Sequence, residues 1–402
     1  METFFLFLSL LKRNFWKMTV YLLLITLVVI LILLPQVVYN NQVVGHRMSR
    51  YTTSFKYILL WNEGKTKMVP YDEGQAIFIN QRCPFLNCYI TSNKSLLDHQ
   101  AQNFDAVVFD IHAIRDIMAE EVDIRRSPEQ KFIFRSMLSS EYYPVCNPIF
   151  DDFFNWTWTY RLNSDIPQPF YEVFDYRNRS MGPRRRNDWL PKQIHVDQYE
   201  QTIKGKRKAV AWIAKCNTRA KHKEFYENLK RELEFNEYVI DTYGCPQMAC
   251  NRSIEKCYKM IEKEYFFLLV LDDTVAEDYV TDKIVKALQY VTVPIVYGNT
   301  DYSSFLPPGS YINAKGFDVK QLVAALGYLM KNPNMYAMFL DWKIYYRFQM
   351  KPTSYICDLC TKLNSVEKFQ YSSYPEFRQW WNPQYDEQCT KLFMHDMFIS
   401  NK

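Results

Sequence analysis

Chemistry-bearing side chains are densest in Leu271-Asp-Asp-Thr-Val-Ala-Glu-Asp-Tyr-Val-Thr-Asp-Lys283, which follows the apolar run Tyr265–Leu271 and enters a helix-like segment, Glu277–Tyr290. Within that segment Tyr279, Asp282 and Lys283 stand at i, i+3 and i+4, a spacing that predicts one shared helical face. A carboxylate beside an ammonium suits a sugar nucleotide, the lysine neutralising phosphate and the aspartate accepting from ribose hydroxyls. The same spacing also describes an ordinary acid–base neighbour on a solvated helix. The adjacent acids Asp272 and Asp273 add a third chemistry, a DxD-like divalent-metal site.

These residues need a scaffold that presents strand ends to a ligand. From residue 209 strand-like and helix-like segments alternate: Ala209–Ala214, Arg219–Glu232, Tyr238–Thr242, Ser253–Lys263, Tyr265–Leu271, Glu277–Tyr290 and Val293–Tyr297, then two late helices at Val319–Lys331 and Met335–Phe348. Such alternation predicts a parallel sheet covered on both faces, with ligands at the carboxyl ends of its strands. Upstream, the short apolar runs Tyr57–Trp61, Ala76–Ile79, Asp105–Asp110 and Lys131–Phe134 read as buried strands of a first α/β unit. The expected organisation is a tail at 1–17, a membrane span at 18–38, a stem at 39–55, a first domain at 56–190, a second at 209–350, and a C-terminal segment at 351–402. Between the domains, Arg184-Arg-Arg186 and Lys204-Gly-Lys-Arg-Lys208 read as a solvated basic connection.

Composition narrows the classes. Hydrophobic residues are 48% and charged residues 23% of the 402, which excludes disorder as the main state. Only 10 glycines occur, the closest pair being Gly309 and Gly316, so neither GxGxxG nor a P-loop can be written. The net charge of +5 does not mark a nucleic-acid binder. From Met18 the chain runs uncharged through Tyr39, with Lys12, Arg13 and Lys17 before it and the next formal charge at Arg47. That length and asymmetry predict a signal anchor with the bulk of the chain across the membrane. The 10 cysteines are then read as disulfide candidates, and the sequons at Asn93, Asn155, Asn178 and Asn251 as N-glycosylation candidates.

Several motifs, in order, resemble the α1,3-fucosyltransferases. Glu277-Asp-Tyr-Val-Thr-Asp-Lys283 is similar to that family's DYVTEK signature, and Asn155-Trp-Thr-Trp-Thr-Tyr-Arg161 with Ser164-Asp-Ile166 to its NWTMTYRxDSDI. Val293-Pro-Ile-Val296 with Leu306-Pro-Pro-Gly-Ser-Tyr-Ile312, Ala211-Trp-Ile213 with Cys216, Cys357-Asp-Leu-Cys360, and the pair Cys83 and Cys88 match further family segments. The resemblance implies an α/β, GT-B-like architecture of two Rossmann-like domains facing a cleft. It also implies a type II Golgi membrane protein and inverting transfer from GDP-fucose to GlcNAc-containing glycans. No metal is required by such a site, although Mn2+ or Mg2+ could stimulate it. By carry-over, Lys283 meets the diphosphate, Asp282 stands where the family has a glutamate near ribose and fucose, and Tyr279 is the pocket tyrosine. Glu141, in Ser139-Ser-Glu-Tyr-Tyr-Pro144, is the counterpart of the family's general base; the alternative is a surface carboxylate. Cys83 and Cys88 would pair with Cys357 and Cys360. Cys216, Cys245, Cys250 and Cys257 could form two further bridges, and Cys146 and Cys389 are free, paired together or intermolecular.

Two departures bear on donor binding. His222, between Lys221 and Lys223, replaces a phosphate-binding arginine and lacks its bidentate fork. Asp273 replaces an asparagine and would bring a carboxylate near phosphate. They open two other readings: a glycan- or nucleotide-binding pseudoenzyme of the same fold, and a metal-dependent glycosyltransferase using Asp272 and Asp273.

Overall fold

The computed structural model describes residues 54–61, 73–116, 126–190, 197–214, 220–244, 253–272, 274–350 and 355–391. The expected span at 18–38 lies outside them, and among the described residues no helix is long and apolar enough to cross a membrane.

The first domain contains β1 (Lys56–Leu60), α1 (Ala76–Asn80), β2 (Cys88–Thr91), β3 (Ala106–Asp110), α2 (Ile111–Asp116), β4 (Lys131–Ser136), β5 (Trp156–Thr159) and β6 (Ile166–Pro167). Its six strands form a parallel sheet in the order β2-β1-β3-β4-β5-β6. Every residue of β3 and β4 is buried. Both faces are covered, so their apolar residues, 106–109 in β3 and 132–134 in β4, run consecutively rather than alternating.

A small antiparallel sheet joins the domains: β7 (Tyr171–Asp175) lies between β8 (Ser180–Gly182) and β14 (Tyr346–Met350). The second domain comprises α3 (Glu200–Gly205), β9 (Lys208–Ala214), α4 (Ala220–Phe235), β10 (Ile240–Gly244), α5 (Ile254–Glu264), β11 (Tyr265–Val270), α6 (Asp282–Leu288), β12 (Val293–Val296), β13 (Ile312–Asn313), α7 (Val319–Lys331) and α8 (Pro333–Ala337). Its strands are parallel in the order β10-β9-β11-β12-β13. The order reverses between β9 and β11, and such a switch point opens a crevice at the carboxyl ends.

The chain then returns to the first domain. In α9 (Tyr355–Leu363), Ile356, Leu359 and Leu363 pack against Ile58, Ile77, Ile90 and Trp158, and in α10 (Phe377–Trp381) Phe377 and Trp381 pack against Phe134. Disulfides Cys83–Cys357, Cys88–Cys360 and Cys146–Cys389 fix this return across 274, 272 and 243 residues.

Three element readings are corrected. Residues Ala76–Ile79 lie in a helix, with Ile77 and Phe78 buried and Ile79 half-exposed, not in a strand. The proposed helix Met335–Phe348 is interrupted: its end becomes β14, whose backbone pairs with β7. The helix expected from Glu277 begins only at Asp282, because Asp278 takes a positive φ of 60° and Thr281 caps the helix behind it.

Candidate functional site

The strand β11, Tyr-Phe-Phe-Leu-Leu-Val, is buried throughout and delivers its carboxyl end to the switch point. There Asp272, 8% exposed, accepts with Oδ1 from the Thr281 amide at 3.2 Å and its hydroxyl at 2.5 Å, closing the intervening loop. The Thr281 hydroxyl in turn accepts from the Lys283 amide at 3.4 Å, the N-cap of α6. These bonds aim Lys283 back across the loop, where its Nζ donates to the Leu271 carbonyl at 3.2 Å. Asp272 is thus engaged in holding the loop; Asp273 lies outside the described residues. Among the described residues no group of three or more His, Cys, Asp or Glu could hold a metal ion.

Lys283 lines a cavity of about 620 Å³ with Asp282, Lys286, Ser253, Tyr258, Ile213, Ala214 and Gly244. That volume is within the range of small-ligand sites. Its walls are the ends of β9, β10 and β11, and its polar rim is set by two ammonium groups and one carboxylate. Asp282 pairs with Lys286 at 3.2 Å, both half-exposed, so that pair is solvent-screened. Burial first, then the charge of Asp282 and the nearby Tyr290, pushes the Tyr258 hydroxyl up to about 12, so it stays a neutral donor at physiological pH. Gly244, at φ 96°, is required here: a Cβ would stand 2.3 Å from the Ala214 carbonyl oxygen and close the floor.

The loop between β11 and α6 is also the contact with the first domain. Glu141, in the loop after β4, accepts with Oε2 from the Val275 amide at 3.1 Å, and Ser139 shares a hydrogen bond with Thr274 at 2.8 Å. Arg161, just after β5 and 4% exposed, donates to Glu277 at 2.6 Å and to the carbonyls of Trp380 and Trp381. Asp278 accepts from the Leu162 amide at 3.0 Å. Burial raises the Asp278 carboxyl above its ordinary value and Glu277 adds to this, while the Leu162 amide and Arg161 oppose it. Tyr279 inserts into the first domain, edge-on to Tyr160 at 4.9 Å and to Phe170 at 5.3 Å.

The expectation that Tyr279, Asp282 and Lys283 share one helical face therefore fails. Asp282 and Lys283 face the cavity, whereas Tyr279 precedes the helix and points to the other domain. Glu141 and Lys283 meet one loop, Glu141 at Val275 and Lys283 at its exit, but Glu141 is not among the residues lining the cavity. His222 is 1% exposed in α4, with its ring 6.2 Å from that of Tyr297, and it does not line the cavity either.

Asn155 is corrected as a glycosylation candidate. It is 6% exposed, accepts from the Phe132 amide at 2.8 Å and donates to the Ser372 carbonyl at 2.7 Å, so its amide nitrogen is inside the fold. Asn93 and Asn178 are exposed, and Asn251 lies outside the described residues. Cys146 and Cys389 are paired together; Cys257 is disulfide-bonded, and Cys216, Cys245 and Cys250 lie outside the described residues. Lys206, read as part of a solvated basic cluster, is 2% exposed and donates to the Tyr265 carbonyl at 2.9 Å. Arg161, Ser253, Tyr258 and Lys286 carried no assigned role in the sequence reading. For Lys286 a signal existed, its i+4 spacing from Asp282.

The family model "Fucosyltransferase, N-terminal" matches residues 53–171, and "Glycosyltransferase family 10 (fucosyltransferase) C-term" matches residues 203–380. The chain is 30% identical over 350 residues to alpha-(1,3)-fucosyltransferase C of Drosophila melanogaster, covering 83% of this chain and 79% of that one. It is 30% identical over 344 residues to glycoprotein 3-alpha-L-fucosyltransferase A of the same organism, covering 81% of this chain and 60% of that one. Against alpha-(1,3)-fucosyltransferase fut-1 of Caenorhabditis elegans it is 28% identical over 297 residues, covering 73% of this chain and 59% of that one.

Proposed function

Because the chain belongs to glycosyltransferase family 10 and is a fucosyltransferase, we propose that it transfers L-fucose from GDP-fucose in α1,3 linkage to GlcNAc of glycoprotein glycans. The observation that carries the reading is the loop between β11 and α6. It presents Lys283 to a cavity at the switch point on one side and receives Glu141 from the facing domain on the other.

In this reading GDP occupies the cavity, its diphosphate against the ammonium groups of Lys283 and Lys286. The acceptor lies against the first domain. Its hydroxyl oxygen attacks fucose C1 from the face opposite the diphosphate, while the bond from C1 to the phosphate oxygen breaks and GDP departs with the electron pair. One such displacement inverts the anomeric centre. Glu141 takes the hydroxyl proton, and Lys283 stabilises the charge that grows on the leaving diphosphate. The Val275 amide fixes one carboxylate oxygen of Glu141, so the base is registered to the donor loop rather than free on the surface. Protein cations supply the charge, so no metal is needed for the step, and Mn2+ or Mg2+ would act as stimulants only. The apolar segment at 18–38 supports a single-pass type II protein of the Golgi membrane with its catalytic part in the lumen.

The test is incubation of the full chain with GDP-fucose and GlcNAc-containing N-glycan and LacNAc-type acceptors, with linkage analysis of the product. The expected product carries fucose α1,3-linked to GlcNAc and forms in EDTA. Folded protein that transfers to none of these acceptors defeats the proposal, and activity that EDTA abolishes and Mn2+ restores moves it to a metal mechanism.

A further inference from the structure

The first domain has a second concavity, at the amino ends of its strands. Lys131 opens β4 there and Asn155 immediately precedes β5, whereas the loop carrying Glu141 follows the carboxyl end of β4. Six residues of strand separate the two ends, about 20 Å at ~3.3 Å per residue. The pocket encloses about 640 Å³ and is lined by Arg126, Lys131, Asp152, Lys368, Phe369 and Tyr371 among others.

Its floor is cationic. Lys131 is 4% exposed and Lys368 5%, and above them exposed Arg126, donating to the Phe153 carbonyl and the Asn155 side-chain oxygen, lies with its guanidinium 4.4 Å from the Phe132 ring. Lys368 is neutralised by Asp105. Lys131 is not: its ammonium donates to the Gln370 carbonyl at 2.8 Å and makes no ion pair among the described residues. Burial, then repulsion from Arg126, Lys368 and Lys362, draws its affinity for the proton below the ordinary value, with the Asp165 carboxylate opposing in part. A buried cation that no carboxylate meets in a salt bridge is unfavourable, and an anion brought in from solution would offset that penalty.

The rim differs from the floor. Tyr371 is 85% exposed and Phe369 69%, two bare rings beside the charged groups. Exposed Asp152 and Glu129 stand on the same rim. An acidic peptide or a polyphosphate would meet these carboxylates with repulsion. A sugar chain with one acidic substituent uses both signs: the substituent goes to the cations, the hydroxyls to the carboxylates, and an apolar C–H face to a ring.

We propose that this pocket is a second carbohydrate site, separate from the site of transfer, which holds an oligosaccharide bearing a sulfate or carboxylate group with Lys131 and Arg126 on the anion and Tyr371 against a sugar ring. It would let the protein retain an acidic glycan on one face while the cleft works at the other.

The test measures binding of the full chain to a sulfated and a sialylated oligosaccharide, to their neutral counterparts, and to an acidic peptide, near physiological salt. At least one acidic glycan should bind about tenfold or more tighter than its neutral form, and the two arms identify which acid is taken. Tyr371→Ala, a change on an exposed ring, and Lys131→Met should each weaken that binding by about fivefold or more. Fucose transfer to a small neutral acceptor should stay within about twofold of wild type for Tyr371→Ala. Equal binding of acidic and neutral glycans, binding that survives Tyr371→Ala, equal binding of the acidic peptide, or displacement of the glycan by GDP would each overturn the proposal. Because the readout is binding, failure of fucose transfer leaves this result independently legible.

Discussion

Thr281→Val is the most informative single change, since valine keeps the shape of threonine and removes only the hydroxyl. That hydroxyl donates to Asp272 at 2.5 Å and accepts from the Lys283 amide at 3.4 Å. Losing an N-cap removes about 1 kcal/mol. Depriving a buried carboxylate of one hydroxyl donor adds about 1–3 kcal/mol, the Thr281 amide at 3.2 Å still donating to it. The sum is about 3 kcal/mol, which for a domain of this size lowers Tm by on the order of 6–12 °C. The Lys283 ammonium is held by the first turn of that helix, so the donor constant should suffer more than turnover, with KM for GDP-fucose rising about fivefold or more. Thermal unfolding followed by donor titration checks both. A variant with wild-type Tm and wild-type donor KM refutes the chain from Asp272 through Thr281 to Lys283.

Asp278→Asn should be neutral or stabilising at pH 7, by about 1 kcal/mol or less. The folded carboxyl is raised by burial and by Glu277, so its charged form is penalised once pH exceeds the ordinary carboxylate range, about 3.9. Below that range both states are protonated and the difference between variant and wild type should vanish. An asparagine amide oxygen can still accept from Leu162, and asparagine tolerates the φ of 60°. A Tm series from pH 3 to 7 showing no convergence counts against it. Cys389→Ser opens a bridge spanning 243 residues, worth about 5 kcal/mol by loop closure, and should lower unfolding temperature in non-reducing buffer. Glycopeptide mass spectrometry of secreted protein should find glycan at Asn93 and Asn178 and none at Asn155; occupied Asn155 in folded protein contradicts its burial.

The second sheet was legible because its strands and helices alternate at fixed lengths, and each strand run is locally apolar. The first domain was harder. The strand Cys88–Thr91 has four residues and no periodicity to read, and Ala76–Ile79 is apolar enough for either a strand or a buried helix face. Tertiary pairing decided both. At the site, Lys283 and Asp282 followed from spacing, while Tyr279 did not, because a positive φ at Asp278 turns the chain between them. Arg161 and Glu277 are 116 residues apart, and nothing local announces their pairing. Asn155 shows the reverse limit: a tripeptide gives the acceptor type but not whether its amide reaches solvent.

The account rests on a proton acceptor from one domain serving a nucleotide held by the other. Transfer kinetics and GDP affinity measured together for Glu141→Gln and Lys283→Ala address it most directly. Glu141→Gln should lose about 10²-fold or more in kcat with GDP affinity unchanged, whereas Lys283→Ala should lose GDP affinity and transfer together. Full turnover in Glu141→Gln, or undiminished GDP binding in Lys283→Ala, would contradict the division of labour between the two domains.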